Sequence, residues 1–244
     1  MRKYRRRKRR KAGIVIAVIT VILLIVGVFR SNLIPIDQAL TLLENIQLGG
    51  KTASLEHGWN LILVNRDNYI PDNYEVELTE LANGEKVDSR IYPYLQSMFD
   101  DARADGLQLF VAAGYRTQEK QQQLLDEKIE AYEYEGHSKS KAKELAEQWV
   151  AVPGTSEHQI GMAVDINADT TYSSSDDVYS WLAENAYKYG FIKRYPADKT
   201  SITGVINEPW HYRYVGKEAA QEIQSQGICL EEYIEQLISN HVSE

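Results

Sequence analysis

The sequence predicts an α+β fold, with helices packed on a mainly antiparallel sheet in one domain that follows an N-terminal transmembrane helix. Two observations favour this class. Segments with the apolar spacing of amphipathic helices are mixed with short apolar or alternating segments typical of strands. These segments do not follow the regular strand–helix–strand order of a parallel sheet. The length of 244 residues suits a tether plus one domain of roughly 200 residues.

The predicted elements of the domain begin with a buried strand at residues 61–64, followed by a polar, turn-rich loop at 65–72. Apolar residues at helical spacing then predict a helix at 91–104 that ends at Gly106. The later predicted elements are a strand at 107–113, two helices within 117–150 separated at 136–138, a strand at 161–168, a helix at 176–189 with Gly190 as its C-cap, strands at 191–195 and 211–215, and helices at 217–226 and 231–240.

An uncharged run of 18 residues at positions 12–29 predicts the membrane anchor. As a helix it would be about 27 Å long, close to the hydrocarbon thickness of a bilayer. Nine basic residues at 2–11 precede it and should remain cytoplasmic. We therefore expect a single-pass cell-membrane protein with a basic cytoplasmic tail at 1–11, the anchor at 12–29, a stalk at 30–55 and an extracellular domain at 56–240.

A cleaved signal peptide is the alternative interpretation of the N-terminal segment. It would need a short apolar core and a small-residue, Ala-x-Ala-like cleavage site. The residues at the end of the run, Val28-Phe29-Arg30-Ser31, do not supply such a site. The uncleaved anchor is therefore favoured.

The charge distribution argues against nucleic acid as a partner. The basic N-terminus alone could indicate nucleic-acid binding. Residues 31–244, however, carry 17 basic and 35 acidic side chains, a net charge of −18, and such a domain would repel a phosphate backbone.

A single cysteine, Cys229, also excludes an intramolecular disulfide and a cysteine zinc site.

Two short motifs supply most of the candidate chemistry. His158 and Asp165 lie seven positions apart, separated mainly by small and apolar residues, and Glu208 lies three positions before His211. Zinc enzymes commonly use three imidazole or carboxylate ligands and leave one position for water. His158, Asp165 and His211 supply that set for one Zn²⁺. Because zinc lowers the pKa of bound water towards about 7, a nearby carboxylate can accept the proton, and Glu208 is the natural base.

Each motif is weak alone, since any one of the five histidines is more often a surface or hydrogen-bonded residue than a ligand. Small-residue spacers in the first motif and Trp210 beside His211 in the second strengthen the pattern. The two motifs together rarely arise by chance. Their combination predicts a zinc hydrolase.

These motifs resemble those of the VanY-type D-alanyl-D-alanine carboxypeptidases, in the wider peptidase family that includes VanX dipeptidases and LD-carboxypeptidases of the LdcB and DacB kind. The resemblance covers roughly residues 58–227 and implies His158, Asp165 and His211 as zinc ligands and Glu208 as the base. The matching motifs are Ser156-x-His158-x2-Gly161-x-Ala163-x-Asp165, Glu208-x-Trp210-His211-x-Arg213-Tyr214, Leu63-Val64-Asn65-Arg66, Gly114-Tyr115-Arg116-Thr117 and Tyr189-Gly190-Phe191.

The resemblance also implies that Arg116 faces the scissile carbonyl, where a fixed guanidinium can stabilise the developing oxyanion by roughly a few kcal/mol. The alternative is a solvated loop arginine. Three further candidates for substrate binding each have a structural alternative. Ser156 either hydrogen-bonds the substrate or caps a turn, and Gln121 either contacts the substrate or faces solvent. Trp210 either lines the pocket or belongs to the core.

The implied function is removal of the C-terminal D-alanine from peptidoglycan stem peptides by an enzyme anchored in the cytoplasmic membrane. D-Ala-D-Ala carboxypeptidase activity on pentapeptides is favoured, and LD-carboxypeptidase activity on tetrapeptides is the main alternative because both share these motifs. A non-catalytic cell-wall binding module is less favoured, since it would be expected to lose the base, and Glu208 is present. A lytic endopeptidase would need a groove open on both sides of the scissile bond.

Overall fold

The computed structural model describes residues 51–242, with side chains as far as residue 240. The predicted tail at 1–11, the predicted anchor at 12–29 and all but the end of the predicted stalk at 30–55 lie outside the described residues. Among the residues that are described, no helix is both long enough and apolar enough to cross a membrane. From Lys51 onward the chain forms one compact mixed α/β unit.

The main sheet has four strands, and every neighbouring pair in it is antiparallel, as the sequence predicts. Its members are β5 (Leu109–Ala113), β6 (Ala163–Ala168), β7 (Phe191–Lys193) and β8 (His211–Tyr214), in the spatial order β5-β6-β8-β7. Two small sheets precede it in the chain. They pair β1 (Lys51–Thr52) in parallel with β2 (Asn68–Tyr69), and β3 (Leu78–Glu80) antiparallel with β4 (Lys86–Asp88).

Except for the four-residue helix α5 defined below, the helices form where the sequence shows helical spacing. Their bounds are α1 (Tyr92–Ala104), α2 (Gln118–Tyr134), α3 (Lys139–Ala146), α4 (Ser175–Asn185), α5 (Thr200–Thr203), α6 (Lys217–Gln226) and α7 (Leu230–Val242). The hydroxyl oxygens of Thr117, Ser138 and Ser174 accept backbone N–H bonds at the starts of α2, α3 and α4. The predicted break at 136–138 falls between α2 and α3, and there the positive φ of Gly136 (+94°) turns the chain.

Side-chain alternation along β6 and β8 separates the hydrophobic core from the candidate site. Val164, Ile166 and Tyr212 belong to the largest buried cluster, which the main sheet forms with α1 and α4. Because successive side chains of a strand point to opposite faces, Asp165 and His211 lie on the other face of the sheet. A second buried cluster joins β7 to α6 and α7.

The predicted strand at residues 61–64 is wrong. Residues 59–61 form a short 3-10 helix, and Ile62 and Val64 are buried in an irregular segment. The Nη2 of Arg213 donates to the backbone carbonyl of Ile62 at 2.9 Å, where a strand neighbour would otherwise bond. The apolar run correctly indicates a buried segment. Its Ile62 carbonyl, however, accepts a hydrogen bond from the buried guanidinium of Arg213 and not from a neighbouring strand.

Candidate metal centre and active site

The three predicted zinc ligands come together on the site face of the main sheet. Asp165 on β6 and His211 on β8 are direct cross-strand partners, and His158 comes from the 3-10 turn Glu157–Ile160 that precedes β6. One ligand atom from each residue lies within 4.8 Å of the others. Asp165 Oδ1 lies 3.4 Å from His158 Nε2 and 3.0 Å from His211 Nδ1. Tetrahedral ligands of one zinc lie about 3.3 Å apart, so these distances fit the ion.

The turn that carries His158 depends on Gly161. This residue ends the 3-10 turn with φ +70°, in the left-handed region that glycine adopts most easily. A Cβ at this position would lie 2.9 Å from the backbone nitrogen of Asp88. The glycine of the first motif is therefore needed to bring the chain from the histidine into β6.

The imidazole of His158 is oriented by a backbone carbonyl. Its Nδ1 lies 2.7 Å from the carbonyl oxygen of Gly114, which can only accept, so Nδ1 carries the proton. Burial lowers the pKa of His158 and favours the neutral ring. The Nε2 lone pair then faces the carboxylate of Asp165, and two electron-pair donors in this arrangement suit a bound cation.

Glu208 lies beside the ligand group without belonging to it. Its side chain is 8 % exposed, and Oε2 lies 3.6 Å from His211 Nδ1. Burial raises the pKa of Glu208 to about 7. Positive charge on His211 and Arg116 lowers this pKa, and negative charge on Asp165 and Glu157 raises it. A carboxylate with a pKa near neutrality can both accept and return a proton, which is what a general base in hydrolysis requires.

Arg116 is not a solvated loop arginine. Its side chain is 19 % exposed, and Nη2 donates to Asp165 Oδ2 at 2.8 Å. Its backbone nitrogen donates to the carbonyl of His158 at 3.2 Å. Both bonds fix the guanidinium against the ligand group, at the start of the segment that leads into α2.

The three predicted substrate contacts all line the same cavity, but in different ways. Ser156 is buried at the N-cap position of the 3-10 turn, and its hydroxyl makes no capping bond among the described residues. Gln121 is buried and not solvent-facing: its Nε2 donates to the carbonyl of Ala151 at 2.7 Å, while its Oε1 has no partner in the described part of the chain. Trp210 is half-buried and forms part of the cavity wall.

The cavity has a volume of about 410 Å³ and contains all eight predicted site residues. It also extends to residues that the sequence did not single out, namely Leu124, Glu127, Lys128, Trp149, Val150, Ala151, Glu157, Tyr195 and Val205. Glu157 was the one with a visible signal, because an acidic residue stands between Ser156 and His158 inside the first motif. Its arginine partners are distant in sequence, and only the fold shows them.

Comparison with known proteins gives the class of this chain. The family model described as VanY, D-alanyl-D-alanine carboxypeptidase, matches residues 84–217, which is more than half of the chain. The chain therefore belongs to the VanY family of D-alanyl-D-alanine carboxypeptidases.

Individual relatives agree with this assignment. The chain is 61 % identical over 191 residues to a D-alanyl-D-alanine carboxypeptidase of Enterococcus faecalis, covering 78 % of this chain and 71 % of the relative. The structure of VanYB in complex with D-alanine-D-alanine is 63 % identical, with a TM-score of 0.72, and the match covers 72 % of this chain and 98 % of that one.

A third relative carries the metal. It is a variant of the vancomycin-resistance D,D-pentapeptidase VanY from a VanB-type cassette, in complex with Zn(II). It is 64 % identical, with a TM-score of 0.71, and the match covers 72 % of this chain and 99 % of that one. The predicted zinc cofactor agrees with this relative and with the ligand group of the present structure.

Proposed function

We propose that this chain is a zinc-dependent carboxypeptidase that removes the C-terminal D-alanine of peptidoglycan stem peptides ending in D-Ala-D-Ala. One observation carries the proposal. A ligand group of two histidines and one aspartate shares a single cavity with the buried carboxylate of Glu208 and the fixed guanidinium of Arg116. The relatives that bind Zn(II) and D-alanine-D-alanine support the choice of cofactor and substrate.

The ligand set assigns the metal to His158, Asp165 and His211. When bound there, zinc supplies Lewis-acid activation of water and of the scissile carbonyl. Two further side chains contact the ligand group. Glu208 Oε2 lies 3.6 Å from His211 Nδ1, and Arg116 Nη2 lies 2.8 Å from Asp165 Oδ2.

Glu208 moves the proton. Its Oε2 accepts a proton from the attacking water as the water oxygen bonds to the carbonyl carbon of the penultimate D-alanine. When the carbon–nitrogen bond breaks, the same oxygen returns the proton to the amine of the leaving D-alanine. Burial of Glu208 favours its protonated form, which makes its carboxylate a better proton acceptor than an exposed one.

Arg116 provides positive charge for the oxygen on which negative charge develops. Its bond to Asp165 holds the guanidinium in place before the substrate arrives. The Oε1 of Gln121, which has no partner among residues 51–242, can accept an N–H of the stem peptide, and the Ser156 hydroxyl can bond a polar group of the substrate. These contacts would orient the peptide terminus towards Glu208.

The alternative activity, removal of D-alanine from a tetrapeptide, is tested on purified muropeptides. The zinc-loaded full-length protein is incubated separately with pentapeptide, tetrapeptide and cross-linked dimeric muropeptides, and the products are identified by mass spectrometry. We expect loss of one alanine from the pentapeptide only. Loss from the tetrapeptide alone would establish the LD-activity, cleavage of cross-linked dimers would establish an endopeptidase, and no loss from any substrate would favour a binding module.

We propose in addition that residues 12–29 anchor the chain in the cytoplasmic membrane, with residues 1–11 inside and residues 56–240 outside as the zinc carboxypeptidase domain. The uncharged run and the basic cluster before it support this topology. An extracellular domain would meet its peptidoglycan substrate directly.

A further inference from the structure

A buried carboxylate, Glu157, lies next to Nε2 of His211, whereas Glu208 lies nearer to Nδ1 of the same ring. Its side chain has no exposed surface, and its Oε1 accepts two charged hydrogen bonds. They come from Arg194 Nε at 2.8 Å and Arg213 Nη1 at 3.0 Å. Two guanidinium groups at these distances keep the Glu157 carboxyl ionised.

The second oxygen of Glu157 is directed at the metal ligand. Glu157 Oε2 lies 3.6 Å from His211 Nε2, and both atoms are buried without another partner among the described residues. The other ring nitrogen of His211, Nδ1, lies 3.0 Å from Asp165 Oδ1. The ring is therefore placed between two carboxylates, one in the ligand group and one outside it.

We propose that Glu157 is a positioning residue that keeps the proton of His211 on Nε2, so that Nδ1 remains available to bind zinc. The proposal rests on the zinc site of the proposed function. A carboxylate can only accept, so Oε2 selects the ring form in which Nε2 donates. A carboxylate behind a metal-bound histidine also fixes the ring orientation and raises its basicity as a ligand.

The two arginines explain why Oε2, and not Oε1, faces the histidine. Arg213 is fixed in turn by the backbone carbonyls of Asn60 and Ile62, at 3.1 and 2.9 Å from its Nη2. Arg194 is fixed by Glu231 of α7, whose oxygens accept from Nη1 and Nη2 at 2.8 and 2.6 Å. The hydrogen-bond network around Glu157 therefore reaches His211 in one direction and Glu231 of α7 in the other.

Because the network has a carboxylate at each of these two places, a matched pair of variants can be made in the full-length protein. In Glu157→Gln, the amide oxygen can still accept from both arginines, but the amide N–H faces His211 Nε2 and makes it an acceptor. The ring proton then moves to Nδ1, where it competes with zinc. In Glu231→Gln, the same arginine, Arg194, loses a charged partner, while neither carboxylate beside the His211 ring is replaced.

Two measurements separate a role in zinc binding from a role in fold stability. Competition with a chelator gives the zinc affinity, and unfolding midpoints with excess chelator give the stability of the metal-free protein. We expect a zinc Kd about 10- to 100-fold higher for Glu157→Gln, as is typical when a group behind a metal ligand is lost. Glu231→Gln should lower the midpoint and leave the zinc Kd unchanged. Wild-type affinity in Glu157→Gln, or an equal loss of affinity in both variants, would overturn the proposal.

A measurement on the zinc-loaded wild-type protein keeps the inference testable if Glu157→Gln does not fold. Long-range proton–nitrogen correlation spectra of the histidine rings report which nitrogen of His211 carries hydrogen. We expect hydrogen on Nε2, and hydrogen on Nδ1 would contradict the proposal. A wild-type protein that binds zinc in this way but releases no D-alanine would refute the proposed function and leave the role of Glu157 standing.

Discussion

Asp165 and His211 face each other directly across β6 and β8, with Asp165 Oδ1 3.0 Å from His211 Nδ1. Because the side-chain period of a strand is two, a shift of one residue in this pairing would send one of the two side chains into the core. The geometry of the ligand group therefore depends on the register of the main sheet. Zinc binding should respond to changes in either partner.

Replacement of His211 by alanine removes one of three ligands. We expect elemental analysis of purified protein to find about one zinc per wild-type chain and almost none in His211→Ala. His137→Ala is the matched control, because His137 is exposed between α2 and α3 and lies outside the ligand group. Unchanged metal content in His211→Ala would count decisively against the assignment.

Gly114 connects the main sheet to the orientation of His158. A Cβ on Gly114 would lie 2.2 Å from the carbonyl oxygen of Lys86, so Gly114→Ala must move the backbone. The carbonyl of Gly114 would move with it, and this carbonyl fixes the His158 ring. We expect unfolding measurements to show a loss of about 1–3 kcal/mol in stability, together with weaker zinc binding.

The control for Gly114→Ala is Gly227→Ala, after α6. Gly227 has φ +62° and open space around its Cβ position, so alanine there costs about 1 kcal/mol of backbone strain without a clash. Chelator competition should show normal zinc affinity in this variant. Equal zinc affinities in wild-type protein and Gly114→Ala would show that His158 does not depend on the Gly114 carbonyl.

Much of the fold and the ligand group could be predicted from sequence, because their signals are local. Helical spacing defines α1, α2 and α6 within a few residues, and each of the two histidine motifs lies within one short continuous segment. The same locality explains the error at 61–64. An apolar run shows that a segment is buried, but not that the Arg213 guanidinium of β8 will bond the carbonyl of Ile62.

Residues whose roles depend on distant partners could not be assigned in advance. Glu157 meets Arg194 and Arg213, which lie 37 and 56 positions away in the sequence. Gln121 is part of a polar helix, where a solvent-facing glutamine is equally expected, but it is buried and bonds the carbonyl of Ala151, 30 positions away. Only tertiary packing brings these groups together.

Arg116 should contribute to the rate more than to substrate binding. Removing one group that stabilises a developing oxyanion typically costs about 10²–10³-fold in kcat. We expect a loss of this order in Arg116→Gln, with a smaller change in KM, from steady-state kinetics of D-alanine release. Arg103→Gln, on the exposed face of α1, serves as control and should retain normal kinetics. A normal kcat in Arg116→Gln would remove the arginine from the mechanism.

The N-terminal segment should remain attached to the mature protein. Intact-mass measurement of the membrane fraction is expected to find a chain that still contains residues 12–29, since no small-residue cleavage site follows the apolar run. Recovery of only a soluble form that begins after Phe29 would show that the segment is a cleaved signal.

The central claim, zinc-dependent hydrolysis with Glu208 as the base, is tested most directly by the rate of D-alanine release from a pentapeptide stem by zinc-loaded Glu208→Gln. The substitution preserves shape and removes the carboxylate that accepts the water proton. We expect the rate to fall by at least about 10²–10⁴-fold relative to wild type, at nearly unchanged zinc content. Near-normal turnover in Glu208→Gln would contradict the mechanism, and loss of zinc together with folding would show that Glu208 is a ligand or structural residue.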